Sequence, residues 1–267
     1  MSSPYVISAP ISSAARCKAY LAYNSMLPSS FVAATSVDTS YPVALLCDYK
    51  VNTEYSPLAT SGPVTITVSG YSVFTLNYIG LLSRNAGDCG LSFEAFYLDL
   101  SGAGFVSLGS RGSFANGSPQ MIAFDPVLTT EFKVVINFTS KCYISAIYGG
   151  EAIVFDRTVG TGYQPARNAS VDEVEAFRTD GNNFIQSRRL YNGKQEKASL
   201  RYVPYTQVDA FWPEFMNHVL DSKPFFFMAN NQNSKCVFGQ QNPTTLAKPS
   251  YKNSHYTDLD FDIQGYA

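Results

Sequence analysis

Between Pro42 and Arg157, short runs of alternating apolar and polar residues follow one another, separated by glycine-bearing turns. A period of two puts apolar side chains on one strand face, and a chain that repeats it must pack sheet against sheet. In Pro63–Tyr71 (PVTITVSGY), Val64, Ile66 and Val68 alternate with Thr65, Thr67 and Ser69, and β-branched residues occupy both faces. Phe74–Leu82 reads as the next strand. Leu91–Leu100 and Gly104–Leu108 flank Ser101-Gly102-Ala103 as a hairpin. Met121–Phe124, Glu131–Phe138, Cys142–Tyr148 and Glu151–Phe155 complete the series. Strands at roughly 8–15-residue spacing with glycine-rich turns predict a sandwich or jelly roll.

The rhythm stops at Asp156–Ser170, where Gly160, Gly162 and Pro165 mark a boundary near residue 157. The expected architecture is mainly β. Residues 1–157 form an N-terminal jelly-roll β-sandwich, with the first forty or so residues an extended arm or edge. Residues 158–267 form a smaller β-rich domain with one short helix. In that second part Val171–Arg178, with acidic Asp172, Glu173 and Glu175, reads as either a short helix or an extended arm. Asn192-Gly193 supplies the positive-φ pair of a type I′ turn, predicting a hairpin that joins Phe184–Tyr191 to Lys194–Val203. Ala198, Leu200 and Tyr202 then share one face of the return strand, with Lys197, Ser199 and Arg201 on the other; one face is packed and one wet. Asp209–Asp221 is the helix: Asp209 caps it, Pro213 falls in its first turn, and Phe211, Phe215 and Val219 are spaced by four. Pro224–Ala229, Cys236–Phe238 and Thr257–Tyr266 are strands, and Gly239–Ser254 contains a polar loop.

Composition narrows the function. The chain carries 18 Tyr and 19 Phe against 2 His, and charged residues make up 15%. Acid–base and metal catalysis draw on His and paired carboxylates, so the chain reads as a protein that works through surfaces and not as an enzyme. A net charge of −2 offers no basic stripe to neutralise phosphates, and nucleic acid is not an expected partner. At 45% hydrophobic residues the chain can bury a core. Met1–Arg16 lacks a basic n-region, so no secretory signal is expected, and apolar runs such as Pro42–Cys47 and Tyr78–Leu82 are far below the roughly 20 residues that span a bilayer. Cys17, Cys47, Cys89, Cys142 and Cys236 form no C-x-x-C pair and read as buried thiols. The sequons at Asn116, Asn137 and Asn168 are expected to be chance matches in a chain without a signal.

Few constellations carry chemistry. Asp258, Asp260 and Asp262 alternate along one strand face, roughly 6.8 Å apart, which suits a solvated face opposite Leu259, Phe261 and Ile263 better than an ion site. His218 and His255 stand in no recognisable motif, and Gly102–Gly112 lies between strands, as hairpin turns do. A glycan hydrolase would need two carboxylates about 5–10 Å apart; Glu94 with Asp99, or Asp48 with Glu54, are available, and no motif supports either pair. Tyr41, Tyr49 and Tyr55 surround Cys47-Asp48 and can form a sugar-stacking rim, with ordinary packing as the competing reading. Trp212, beside Phe211 and Phe215, is either an interface anchor or a cover for the second sheet. No cofactor and no metal is expected.

Two stretches carry a resemblance. Leu46–Arg157, with Asp48…Thr53-Glu54-Tyr55, PVTITV, EAFYLDLSGAGFVSL and EFKVVINF, resembles the galactose-binding-like (discoidin-type) jelly roll in strand order and texture. Asn183–Ala229, a hairpin followed by DAFWPEFMNHVL and SKPFFFMAN, looks like tail-tip and baseplate proteins of tailed bacteriophages. Together these imply a virion structural protein of the distal tail or baseplate, assembled in the host bacterial cytoplasm. It would act by contact with copies of itself, in a ring or other symmetric oligomer, and with other tail proteins. The alternative implied by the first stretch is a carbohydrate-binding module for a host surface glycan.

Overall fold

Alternating β-branched and aromatic residues extend as strands because each face then has a partner layer to cover it. The computed structural model describes residues 18–50, 52–155, 170–178, 184–230, 236–242, 249–251 and 255–265. Its strands are β1 (Ala19–Ala22), β2 (Phe31–Ala34), β3 (Val64–Ser83), β4 (Ser92–Asp99), β5 (Gly104–Arg111), β6 (Gln120–Asn137), β7 (Ile144–Gly150), β8 (Ile153–Phe155), β9 (Ser170–Arg178) and β10 (Phe184–Pro204). After the helix α1 (Tyr205–Leu220) come β11 (Phe225–Met228), β12 (Cys236–Gln241), β13 (Ser250–Tyr251) and β14 (Tyr256–Gly265). The protein is mainly β, a curled sandwich sheet joined to a second β-rich sheet that carries the helix.

The first sheet runs β2-β3-β6-β4-β5, with β7 on the far half of β3. What the alternation presents as two strands, Pro63–Tyr71 and Phe74–Leu82, is one 20-residue strand, and β6 likewise joins the two runs predicted from Met121 to Phe138. These long strands bend, so the sheet curls around its own core of Val64, Ile66 and Val68 from β3, Phe93 from β4, and Phe132, Val134 and Ile136 from β6. The register slips between Leu76 and Tyr78. The alternation of β3 is broken at this irregularity, so Leu76 packs in the sandwich core while Tyr78, two residues on, packs in the layer between the sheets. The Asn77 side chain repairs the interrupted ladder: its Nδ2 donates to the Ala152 carbonyl at 3.0 Å and its Oδ1 accepts from the Ala152 amide at 2.7 Å.

The second sheet runs β8-β1-β11-β12-β14-β10-β9, with β13 beside β14. β1 is therefore not an arm. It lies between β8 and β11, antiparallel to both, because Ala19-Tyr20-Leu21-Ala22 is apolar on both faces and must be covered on both. The predicted boundary near residue 157 and the sequon at Asn168 lie outside the described residues, as does Met1–Arg16.

β11 (FFFM) is buried on both sides for the same reason. Phe225 and Phe227, with Leu21 and Phe261, pack against Phe215 of the helix, while Phe226 and Met228 face Tyr78 and Tyr148 of the sandwich. The second sheet is thus the middle layer between α1 and the curled sheet. Tyr148 is at the centre of that junction, its ring edge-on to Phe226 at 5.5 Å and to Phe238 at 5.4 Å, with its hydroxyl donating to the Pro224 carbonyl at 3.2 Å.

The predicted Asn192-Gly193 hairpin is not formed. β10 continues through both residues as one strand of 21 residues. β9 pairs along its first half, from Phe184 to Lys194, and β14 pairs along its second, from Lys194 to Pro204. A local turn preference yields to two long ladders that use both edges of an extended strand. Val171–Arg178, for which the sequence allows a helix or an arm, belongs to β9.

The helix begins four residues earlier than predicted, so Asp209 lies inside it and Pro213 in its interior. Its first amide, Tyr205 N–H, donates to the His255 carbonyl at 3.0 Å, and this tertiary contact replaces a side-chain cap. Pro213 removes one helical hydrogen bond, on the wet side where Asp209 and Pro213 are exposed. Val208, Phe211, Phe215, His218 and Val219 form the buried stripe. At the other end Lys223 N–H reaches the His218 carbonyl at 3.1 Å, with Ser222 in the left-handed region (φ 55°), which completes a Schellman ending.

Candidate functional site

Polar and aromatic groups converge at three places, and the first is a cleft built on a bulge. The β10–β14 ladder is regular through Leu200 opposite Leu259, then shifts to Val203 opposite Thr257. Arg201 and Tyr202 together stand across from Asp258, so Tyr202 leaves the packed face that strict alternation assigns to it. Ala198 and Leu200 are buried at 1% exposure, whereas Tyr202 is 54% exposed. Its φ is 56°, a region in which a bulky Cβ crowds the backbone and which costs of the order of 1–3 kcal/mol.

The conformation is held by Asp258, a carboxylate only 4% exposed. Its Oδ1 accepts the Tyr202 amide at 3.0 Å and its Oδ2 accepts Arg201 Nη1 at 3.0 Å. The second guanidinium nitrogen reaches Asp260 Oδ1 and Ser199 Oγ, both at 3.3 Å. The predicted wet face of the tail strand is therefore correct in its buried partners, Leu259, Phe261 and Ile263, and wrong for Asp258.

Beside the bulge a cleft of about 180 Å³ opens, with Tyr202 and Tyr256 at its mouth and Phe155, Leu200 and Val203 among its lining. The two tyrosine rings stand edge to face, centroids 6.4 Å apart, and Tyr256 is 38% exposed. Gln207 fixes the wall by donating to the Val154 carbonyl at 2.8 Å. An apolar ring face next to an ordered guanidinium–carboxylate network can bind a molecule with one apolar and one hydroxylated face.

A second cleft, of about 260 Å³, lies where the end of α1 meets the sandwich. His218 Nε2 is 2.9 Å from the Pro224 carbonyl, and burial pushes its pKa below the usual imidazole value. Tyr49, in a left-handed turn (φ 57°), inserts edge-on between Tyr148 and His218, both at 5.5 Å. Burial holds its phenol up at about 12, and burial followed by the neighbouring Glu214 does the same for Tyr23. Burial thus favours the neutral form of the imidazole and of both phenols.

The third place is a patch at one end of the sandwich. Tyr41 meets Tyr143 edge-on at 5.4 Å, and the Arg84 guanidinium lies 4.8 Å over the Tyr143 ring while pairing with Glu54 at 3.1 Å.

The three tyrosines expected to form one rim are thus dispersed. Tyr41 is on this patch and Tyr49 is wedged against α1. Tyr55 has no exposed surface, and its hydroxyl donates to the Ser36 carbonyl. Trp212 is half-buried against Phe211 and Phe215, at 6.1 and 5.7 Å, on the helix face that covers the second sheet. No sequence motif marks Tyr202, Tyr256 and Arg201 as a site, and only the bulge at a non-glycine residue separates Tyr202 from its expected place in the core.

The carboxylate pairs are held in local contacts. Glu94 accepts from Ser107 at 2.8 Å, Asp99 accepts from the Ser101 amide at 3.2 Å, and Asp48 accepts from the Lys50 amide at 2.8 Å and Thr53 Oγ1 at 2.9 Å. Among the described residues no three His, Cys, Asp or Glu side chains group together as a metal site, and no helix is long and apolar enough to cross a membrane.

No protein-family model matches the chain, and no curated protein matches it. Solved structures similar to it include CpGH89CBM32-5 from Clostridium perfringens in complex with GalNAc-β-1,3-galactose, at 16% identity and a TM-score of 0.42, covering 48% of this chain and 100% of that one. A chitosan-binding module 1 of a chitosanase/glucanase from Paenibacillus sp. IK-5 is similar at 14% identity and a TM-score of 0.41, covering 48% and 99%. A pectin-binding carbohydrate-binding module is similar at 20% identity and a TM-score of 0.39, covering 45% and 89%.

Proposed function

We propose that this chain is a non-catalytic binding protein whose Tyr202–Tyr256 cleft takes a neutral glycan. The observation that carries this is the left-handed bulge at Tyr202. A buried carboxylate is used to hold a tyrosine in a costly conformation with its ring in water, and strain of that kind persists where function requires it. The ring faces stack on the C–H face of a pyranose, and the polar groups around Arg201 and Asp260 meet its hydroxyls. In this reading the sandwich is of the galactose-binding-like kind. Binding of the native chain and of Tyr202→Ala to an array of neutral oligosaccharides tests it. A glycan held by the native chain and weakened at least tenfold in the variant is expected. No bound glycan, or equal binding by both proteins, overturns it.

A second reading, a structural part of a tailed-phage tail located in the virion, is favoured by the β9–β10 ribbon. Residues 184–193 of β10 pair with β9 alone among the described strands, and β9 ends the sheet. Two-stranded ribbons are marginal in water and gain from a neighbouring subunit. Light-scattering mass after size exclusion separates the readings: a closed ring of several copies supports assembly, and a monomer with glycan affinity supports the module.

A further inference from the structure

The glycan reading leaves the second cleft, of about 260 Å³, without a role, and its groups share one chemistry. Glu214, Asn217, His218 and Asp221 stand at i, i+3, i+4 and i+7, so the end of α1 turns one polar stripe into the cleft. Its other walls include Tyr23, which follows β1, and Tyr49 of the sandwich, each ring edge-on to His218 at 5.5 Å. His218 is only 8% exposed. Its Nε2 is 2.9 Å from the Pro224 carbonyl, which can only accept, so the proton of the neutral ring is on Nε2. Nδ1 keeps a lone pair, has no hydrogen-bond partner among the described residues and is not sealed from solvent, which places it on the cleft.

The cleft is rich in acceptors and short of cations. Asp221 is paired with Lys223, Oδ2 to Nζ 2.8 Å, whereas Glu214 has no ion-pair partner among the described residues. Two carboxylates against one ammonium leave a negative charge uncompensated, at the helix end where the dipole is also negative. The side-chain amides of Asn24 and Asn217 line the same space and make no hydrogen bond among the described residues. No three His, Cys, Asp or Glu side chains group together among the described residues, so a metal ion would have too few ligands here. Lys223 shows the kind of cation that does fit: its Nζ meets a carboxylate while lying 5.5 Å from the Tyr49 ring centre.

We propose that this cleft binds a small primary alkylamine as its ammonium ion. The three N–H bonds of the ammonium are shared between the Glu214 carboxylate, the Nδ1 lone pair of His218 and the side-chain carbonyl of Asn217, and the alkyl stem lies against the Tyr23 and Tyr49 rings. The neutral imidazole is the form that accepts, and burial already favours it. The site shares no residue with the Tyr202–Tyr256 cleft, so it stands whether or not that cleft takes a glycan.

The test is an NMR titration of the isotope-labelled full chain with n-butylammonium chloride at pH 7.5, with sodium chloride and n-butanol as references. The His218 imidazole and the Asn24 and Asn217 side-chain amide signals move together on one saturating curve with the amine alone. Glu214→Gln, at an exposed position, weakens binding roughly fivefold or more. Saturating amine also lowers the pH at which His218 takes up its second proton, because the bound cation opposes a charge on the ring. The charged groups around that ring are Glu214 and Asp221 on α1 and Lys223 beyond it, with the phenols of Tyr23 and Tyr49 on the other walls. Signals that stay still with the amine, that move equally with butanol or sodium chloride, or that saturate identically in Glu214→Gln overturn the proposal. A His218 titration point that is unmoved or raised by the amine overturns it equally.

Discussion

The ring of Phe226 on β11 lies against the bare Cα of Gly80 on β3; a Cβ at that position would stand 2.8 Å from the ring. Glycine is required here because the two sheets meet at this point, and the aromatic fills the space a side chain would take. Gly80→Ala is expected to destabilise the protein by about 1–3 kcal/mol through overpacking, and Phe226→Ala by about 3–5 kcal/mol through a cavity. Urea midpoints measure both, and the double variant should cost less than the sum because the new methyl occupies part of the void.

Tyr202→Gly separates strain from function. Glycine adopts a φ of 56° freely, and the tyrosine ring it removes is 54% exposed and buries little. The variant should gain about 1 kcal/mol in stability while losing glycan binding. A Tm that falls, measured by calorimetry, would show that the bulge stores no strain.

His218 makes stability depend on pH. Its folded pKa is lowered, so the unfolded chain binds the proton more readily. The contribution of the neutral ring is fully present above the unfolded value of about 6.5 and is lost as pH falls below it towards the lower folded value. Denaturant midpoints at pH 7.5 and 5.5 should show a loss in the native chain that is smaller in His218→Gln.

Pro213 is a defect in an otherwise regular helix. The Pro213→Ala variant regains an N–H that can donate to the Asp209 carbonyl on an exposed face, and should be more stable by about 1–3 kcal/mol with no change elsewhere. Slowed amide exchange at position 213 of that variant reports whether the new bond forms.

Local pattern carried much of this fold. The alternation in PVTITV gave β3 its inner face, and the four-residue spacing of Phe211, Phe215 and Val219 gave α1 its buried stripe. What local pattern could not supply was pairing between distant segments. The apolar tetrapeptide Ala19–Ala22 says that it is covered on both sides, but not that β8 and β11 do the covering. Asn192-Gly193 favours a turn locally, and only the presence of β9 and β14 on opposite edges keeps the strand straight. The cleft was hidden for a related reason. Alternation assigns Tyr202 to the core beside Leu200, and the single extra residue in the ladder that reverses it depends on Asp258, 56 positions away.

The placement of β1 has a consequence for the birth of the molecule. Tyr20 pairs with Met228, so once β1 has left the ribosome it must wait for roughly two hundred further residues before β11 exists to receive it. Until then Tyr78 and Tyr148 of the sandwich have no second sheet to cover them, and a long interval of exposed aromatic surface accompanies every round of synthesis. A cut near residue 157 would leave that interval open permanently, with β1 and β8 on one fragment and the strands they complete on the other.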